Sequence, residues 1–256
     1  MTTKSYKVLV VDDNIINQKV AVKMLERSNI ITDIAANGRE AIDAFKNLLY
    51  DLILMDIQMP EMDGLEATRT IRTIEQNKKR TTIIALTANA MQGDRERCLK
   101  AGMDDYLSKP IKQQDIDMMI ERWLTSKTTR ELVEIQSTES LKNEMIDPKR
   151  IEQIKEIGDN ALLHELLSLY LQDLKQFSAD IQTALEKNNF KQIYEYSHKL
   201  KGSSANLGIE SIRQACIGME QYAKENDLEK ARKHFTAMEG MIERIRTYIL
   251  QTFPAN

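Results

Sequence analysis

The chain has 256 residues, 42% of them hydrophobic and 29% charged, with a formal net charge of −3. That balance fits a globular protein long enough for two domains of ordinary size. It excludes the concentrated cationic face that holds nucleic-acid phosphates, and the densest basic run, Lys78-Lys79-Arg80, reads as a solvated loop or helix end.

Cys98 and Cys216 lie far apart in helical-looking segments without zinc-type spacing, which argues against a disulfide framework or metal knuckle and predicts a reducing compartment. No apolar run reaches membrane-spanning length, and the stretch from Met1 to Lys7 is too short for a signal peptide. The expectation is a cytoplasmic protein with no membrane and no nucleic-acid partner.

From Lys7 to about Leu124, short β-branched runs alternate with amphipathic stretches, the pattern of a parallel sheet with helices on both faces. The predicted strands are Lys7 to Val11, Ile31 to Ile34, Leu52 to Met55, Ile83 to Leu86 and Asp104 to Leu107, with a last helix near Gln113 to Leu124. Turn chemistry at Asn37-Gly38, Asp63-Gly64 and Ala101-Gly102 supports that register. The polar segment from Thr125 to Met145 reads either as a loose linker or as a helical extension.

Asp147-Pro148 looks like a helix start, with Asp as N-cap and Pro at the first helical position. Beyond it only helical periodicity is found, interrupted at Gly158-Asp159-Asn160, Lys187-Asn188-Asn189, Leu207-Gly208 and Glu225-Asn226-Asp227. A helical bundle is expected. Leu163, Leu166, Leu167, Tyr170, Leu174 and Phe177 form one apolar face, with Met219, Tyr222, Met238, Met241, Ile245 and Ile249 as its counterparts in the core. The expected division is 1–125 for the first domain, 126–147 for the joining segment and 148–256 for the second.

In an α/β sheet of this kind, chemistry gathers at the carboxyl ends of the strands. Asp12 and Asp13 follow the first strand and Asp56 ends the third. Acids sharing one crevice repel one another, so an ionised cluster calls for a divalent cation, and hard oxygen ligands suit Mg2+. The hydroxyl of Thr87 and the ammonium of Lys109 end two further strands. Together these groups make a place for a phosphoryl group, with Asp56 the natural nucleophile for in-line transfer. Singly they have plainer readings, Asp12-Asp13 as a helix cap and Lys109 as a surface charge.

Four motifs, Val10-Val11-Asp12-Asp13-Asn14, Met55-Asp56-Ile57-Gln58-Met59-Pro60-Glu61-Met62-Asp63-Gly64, Leu86-Thr87-Ala88-Asn89 and Tyr106-Leu107-Ser108-Lys109-Pro110, resemble those of response-regulator receiver domains. The resemblance implies a flavodoxin-like α/β fold with a doubly wound, five-stranded parallel sheet. It implies that Asp56 is the phosphoacceptor, that Asp12, Asp13, Asp56 and the backbone carbonyl of Gln58 organise Mg2+, and that Lys109 pairs with the phosphoryl group. Thr87 would shift to bond that group and Tyr106 would turn inward after it as an aromatic switch. A cis Lys109-Pro110 bond is implied as well. Gln58 and Asn89 flank the site and would tune water access.

Three histidines occur. His164 among leucines and His234 beside Lys233 read as half-buried or solvated helix residues. His198 opens His198-Lys199-Leu200-Lys201-Gly202, which puts Lys201 and Gly202 on its own helix face. Lys201 could neutralise a phosphoryl group on the imidazole, and Gly202 leaves room for another protein's active site. Imidazole is largely neutral at pH 7 and needs no dedicated base. On local chemistry alone an exposed helical histidine beside a packing glycine explains the segment equally well.

The segment from about Pro148 onward is similar to histidine phosphotransfer (HPt) domains, all-α four-helix bundles, which makes His198 the phosphoacceptor with Lys201 and Gly202 supporting it. The match at Cys216-Ile217-Gly218-Met219-Glu220 is softer, because Gly218 stands where a better helix former is expected. A receiver followed by such a domain resembles the tail of tripartite hybrid sensor kinases. No Walker loop or glycine-rich nucleotide pattern is found. The expected function is a two-component phosphorelay protein, not an enzyme beyond slow autodephosphorylation. Its partners would be a sensor histidine kinase and a downstream response regulator or HPt protein, with self-association left open. The alternative is an output module whose helical domain docks a target unlabelled; an aspartate-based phosphatase ranks last, because Gln58 stands where its second Asp would be.

Overall fold

The computed structural model describes residues 6–75, 80–87, 92–125 and 145–254, with the side chains of 92–94 left aside. Lys78, Lys79, Asn89 and the segment 126–144 lie outside the described residues. The chain divides into two compact units, Met1–Glu139 and Ser140–Asn256.

The first unit runs β1 (Lys7–Val11), α1 (Ile15–Arg27), β2 (Ile31–Ala35), α2 (Gly38–Asn47), β3 (Leu52–Asp56), α3 (Gly64–Glu75), β4 (Thr82–Thr87), α4 (Gln92–Ala101), β5 (Asp105–Ser108) and α5 (Gln113–Ile120). All strand pairs are parallel, in the order β2-β1-β3-β4-β5. The three central strands are unbroken apolar runs because helices cover both of their faces, whereas Ile31 and Ile34 on the edge strand β2 stay exposed. From β1 the chain winds first to β2 on one side and then to β3 on the other, which opens a crevice at the carboxyl ends of β1 and β3.

The predicted turns start and stop the helices as expected. Asn37 and Asp63 cap α2 and α3 by accepting from the Glu40 and Glu66 amides, and Gly102 follows α4 at φ 101°. Several boundaries differ from expectation: β2 and β3 run one residue further, to Ala35 and Asp56, β4 is longer by one residue at each end, and β5 is shifted by one residue, to Asp105–Ser108. Asp104, just before β5, donates its amide to the Ile83 carbonyl at 2.8 Å, while its carboxylate accepts from the Ile83 amide at 2.9 Å and binds Arg72 and Arg80 at 2.7 and 2.9 Å. Arg80, expected to be a solvated charge, also donates to the Gly102 carbonyl at 2.8 Å. The helix predicted to Leu124 ends at Ile120 and passes into a π-helical turn, Glu121–Thr125. There Arg122 and Trp123 both donate to Asp105 Oδ2, at 2.9 and 3.1 Å, and the wider turn brings neighbouring side chains to one acceptor.

The second unit is helical throughout its described residues: α6 (Pro148–Glu186), α7 (Phe190–Leu207), α8 (Glu210–Glu225) and α9 (Leu228–Thr252). Helix α6 bends where a break was predicted. Asp159 adopts φ 64°, and its Oδ1 accepts from the Ala161 and Leu162 amides, restarting the helix. Helix α7 packs on α6 and α8, and α9 closes the ring against α8 and α6. Gly208 at φ 71° and Asn226 at φ 54° end α7 and α8 in the left-handed region.

Leu163, Leu166, Leu167, Tyr170 and Leu174 are buried, as are Met219, Met238, Ile245 and Ile249 on α8 and α9. Phe177, Tyr222 and Met241, expected in the core, are only half-buried because they sit at the rim of the apolar stripe. Phe177 stacks on Tyr196 with centroids 6.4 Å apart, and Tyr222 meets His234 edge-on at 5.4 Å. No described helix is long and apolar enough to cross a membrane.

Gly218, out of place by helix propensity, has a packing reason. A Cβ there would lie 2.6 Å from Nε2 of His234, the nitrogen that bonds the Ala215 carbonyl at 2.9 Å. Gly218→Ala is therefore expected to destabilise the bundle, although alanine is the better helix former by about 1 kcal/mol. Adding His234→Ala should recover part of that loss in urea denaturation, because the second change removes the obstructing ring.

Candidate functional site

The crevice of the first unit is built by strand ends. Asp12 follows β1 and is 1% exposed; its Oδ1 accepts from the Asn14 amide at 3.0 Å and from Asn17 Nδ2 at 2.9 Å. Asn14 caps α1 by accepting from the Ile16 and Asn17 amides, so one short loop both starts the helix and orients the acid. Asp56 is the last residue of β3 and is 4% exposed. Its Oδ1 accepts from the Gln58 amide at 3.4 Å. Gly64 lets α3 press against this strand end, since a Cβ there would lie 2.0 Å from the Asp56 carbonyl oxygen.

Lys109 reaches into the same crevice from beyond β5. Its Nζ donates to Asp12 Oδ2 and to Asp56 Oδ2, each at 2.7 Å, while its amide donates to the Thr87 carbonyl at 2.7 Å. Thr87 is buried at the end of β4, and the Lys109-Pro110 bond is cis. Tyr106, on β5, is half-buried against the core of the sheet. Carboxylate oxygens of Asp12, Asp13 and Asp56 lie within 4.8 Å of one another.

The electrostatics follow from this crowding. Burial pushes the Asp56 carboxyl up to about 7; the Lys109 ammonium pulls against that shift, and the charges of Asp12 and Asp13 reinforce it. Burial also works against the Lys109 charge, but Asp12 and Asp56 outweigh it and hold the ammonium above its usual range. Added positive charge would relieve the crowded acids, and hard oxygen ligands at this spacing fit a small divalent cation.

In the second unit, His198 lies on α7 with its side chain 15% exposed, facing α8. Its Nδ1 is 2.8 Å from Oε1 of Glu220, whose Oε2 accepts from Lys201 Nζ at 2.7 Å. Burial alone would raise the Glu220 carboxyl; the His198 hydrogen bond and the Lys201 charge outweigh it and hold the group below the ordinary carboxylate range. An ionised carboxylate can only accept, so Nδ1 is the donor in this contact, and whenever the imidazole is neutral its lone pair is on Nε2. Lys201, expected to stand ready for a phosphoryl group, is buried and paired with Glu220. Gly202 is half-exposed one turn beyond His198.

Glu220, which bonds both His198 and Lys201, is the residue of this cluster that sequence reasoning did not single out. Its position within the softer match at Cys216 to Glu220 was the available signal. His164, half-buried, has no part in the cluster. Beneath the cluster, burial pushes the Cys216 thiol well above its ordinary range, which makes it a core residue and not a nucleophile.

Residues 8–121 match the family described as response regulator receiver domain, and residues 165–248 match the Hpt domain. The chain belongs to these families of two-component phosphorelay signalling: a receiver domain followed by a histidine phosphotransfer domain, modules that accept and pass on phosphoryl groups. It is 31% identical over 231 residues to signal transduction histidine-protein kinase BarA of Shigella flexneri, covering 87% of this chain and 25% of that protein. It is 30% identical over 214 residues to aerobic respiration control sensor protein ArcB of Escherichia coli (strain K12), covering 84% of this chain and 27% of that one. The chain thus spans about a quarter of the length of these relatives. Among solved structures it is similar to the receiver domain of sensor histidine kinase PA1611 from Pseudomonas aeruginosa PAO1, described with a magnesium ion coordinated in the active site cleft: 45% identity, 48% of this chain, 100% of that chain and a TM-score of 0.45.

Proposed function

We propose that this protein is a relay with two phosphoryl sites, in which Asp56 accepts phosphoryl from a histidine kinase or a phosphohistidine and His198 serves as the phosphotransfer site. The observation that carries the reading is the pairing, one in each matched domain, of a nucleophile with a fixed cation: Asp56 with Lys109 at 2.7 Å, and His198 with Lys201 through Glu220. The receiver is assigned to 1–125, the joining segment to 126–147 and the HPt domain to 148–256. The protein acts in the cytoplasm, where Cys98 and Cys216 stay reduced, and its own hydrolytic activity is at most slow autodephosphorylation.

An Asp56 carboxylate oxygen attacks phosphorus in line, the O–P bond forming as the donor's N–P bond breaks. Lys109 leaves its carboxylate partners to meet the transferred oxygens, Thr87 donates its hydroxyl to them, and Tyr106 follows Thr87 inward. Asp12, Asp13, Asp56 and the Gln58 backbone carbonyl would hold Mg2+, which when bound supplies positive charge against the phosphoryl oxygens. In the second domain Glu220 holds Nδ1–H of His198, so that Nε2 is the attacking atom, and Lys201 can transfer its pairing from Glu220 to the phosphoryl group.

Labelling with an active hybrid kinase and radioactive ATP tests this. Wild type should carry both alkali-labile acyl phosphate and acid-labile phosphohistidine, Asp56→Ala should lose the first directly, and His198→Ala should lose the second. If a panel of active donors never yields phosphohistidine, the helical domain is a docking module.

A further inference from the structure

The imidazole of His198 is held at more than one point. Tyr194, one turn earlier on α7, stacks on it with ring centroids 5.8 Å apart and planes 18° apart, within the usual range of offset aromatic pairs. Lys224, one turn beyond Glu220 on α8, brings its Nζ to 5.0 Å from the centroid of the Tyr194 ring, within cation–π range. Residues four apart share a helix face. Tyr194 and His198 of α7 therefore meet Glu220 and Lys224 of α8 as a four-sided cluster. The carboxylate pins one edge of the imidazole, and the phenol ring covers its face.

The two restraints do different things. A hydrogen bond at Nδ1 fixes one atom but still allows the ring to tilt about that contact. The Nε2 lone pair lies in the ring plane, so tilt swings it away from an in-line phosphorus, and a small error of aim is costly in a transfer of this kind. A stacked aromatic ring resists that tilt. We propose that Tyr194 is a positioning residue for phosphoryl transfer at His198, with Lys224 steadying the Tyr194 ring. The proposal rests on His198 being the phosphoacceptor.

The test uses the full chain carrying Asp56→Ala, so that only histidine is labelled, and phosphoramidate as a donor too small to need a docking surface. Nε2 bonds to phosphorus as the P–N bond of the donor breaks and nitrogen leaves as ammonia, while Glu220 offsets the positive charge developing on the ring. Tyr194→Leu is expected to slow phosphohistidine formation at saturating donor by about 2- to 12-fold, the factor that corresponds to the worth of an aromatic pair. Tyr194→Phe, which keeps the stack, should label at the parental rate, and Lys224→Ala should fall between them. Proton shifts of the His198 ring, read by NMR in unlabelled protein, should move in Tyr194→Leu and stay in Tyr194→Phe. Parental labelling in Tyr194→Leu, or equal slowing in Tyr194→Phe, overturns the proposal. If the parent chain itself never labels, the phosphoacceptor reading fails instead; ring shifts that do not move in Tyr194→Leu then overturn the positioning role too.

Discussion

Arg72→Ala is expected to cost the receiver domain about 3–5 kcal/mol, the range seen when one partner of a buried ion pair is removed. Arg72 leaves α3 and uses its whole fork: Nε donates to the Gly102 carbonyl at 2.8 Å, Nη1 to Glu75 and the Thr81 carbonyl at 2.8 Å, and Nη2 to Asp104 at 2.7 Å. The Glu75 and Asp104 side chains are 6% and 10% exposed, so without the guanidinium both carboxylates stay buried with their main counter-charge gone. Arg72→Lys keeps the charge but not the planar fork and should recover only part of the loss. Arg80 binds the same Asp104 with 54% of its side chain exposed; Arg80→Ala should therefore cost under about 1 kcal/mol. Urea denaturation of the three variants checks the order, and equal losses for Arg72→Ala and Arg80→Ala would show that burial is not what sets it.

Glu220→Ala should act on both stability and chemistry. It strips the carboxylate from a buried Lys201 and from the Nδ1–H of His198, with an expected loss of about 3–5 kcal/mol in the bundle. Phosphohistidine formation should slow roughly 10- to 100-fold, because the ring loses both its tautomer and its aim. The pH dependence has a definite sign. The Glu220 carboxyl lies below its ordinary range in the folded state, so around its titration the unfolded chain binds more protons and stability rises with pH. The contribution is complete above the unfolded value of about 4.3 and is lost as pH falls through the lower folded value. Glu220→Gln, which keeps the shape without the charge, should flatten that part of the acid limb in denaturation series. An acid limb unchanged by Glu220→Gln would mean that the carboxyl is not held low in the folded bundle.

Much of the receiver was legible in the chain because its signals are local. Strands β1, β3 and β4 are covered on both faces and so read as unbroken apolar runs, and Asp12, Asp13, Asp56, Thr87 and Lys109 fall at strand ends, where a parallel sheet gathers its loops. The turns at Asn37 and Asp63, the cap at Asp147 and the break at Asp159 were legible for the same reason: each carries a bond between a side chain and a backbone amide two or three residues on.

The long-range pairs were not legible. Arg72 and Asp104 are 32 residues apart, and His198 and Glu220 are 22 apart. Periodicity marks which face of a helix is apolar but not which neighbour that face meets, so Glu220 looked like any helical acid and Gly218 like a flaw until α7, α8 and α9 were packed together. The sequence by itself determined the two kinds of fold and the order of the domains, and it singled out Asp56 and His198 as the candidate nucleophiles, because these rest on local pattern and motif. Only the tertiary structure decided which charges lie beside them, which nitrogen of His198 meets the Glu220 carboxylate and which ring stacks on its imidazole, because those depend on side chains that helix and strand packing bring together.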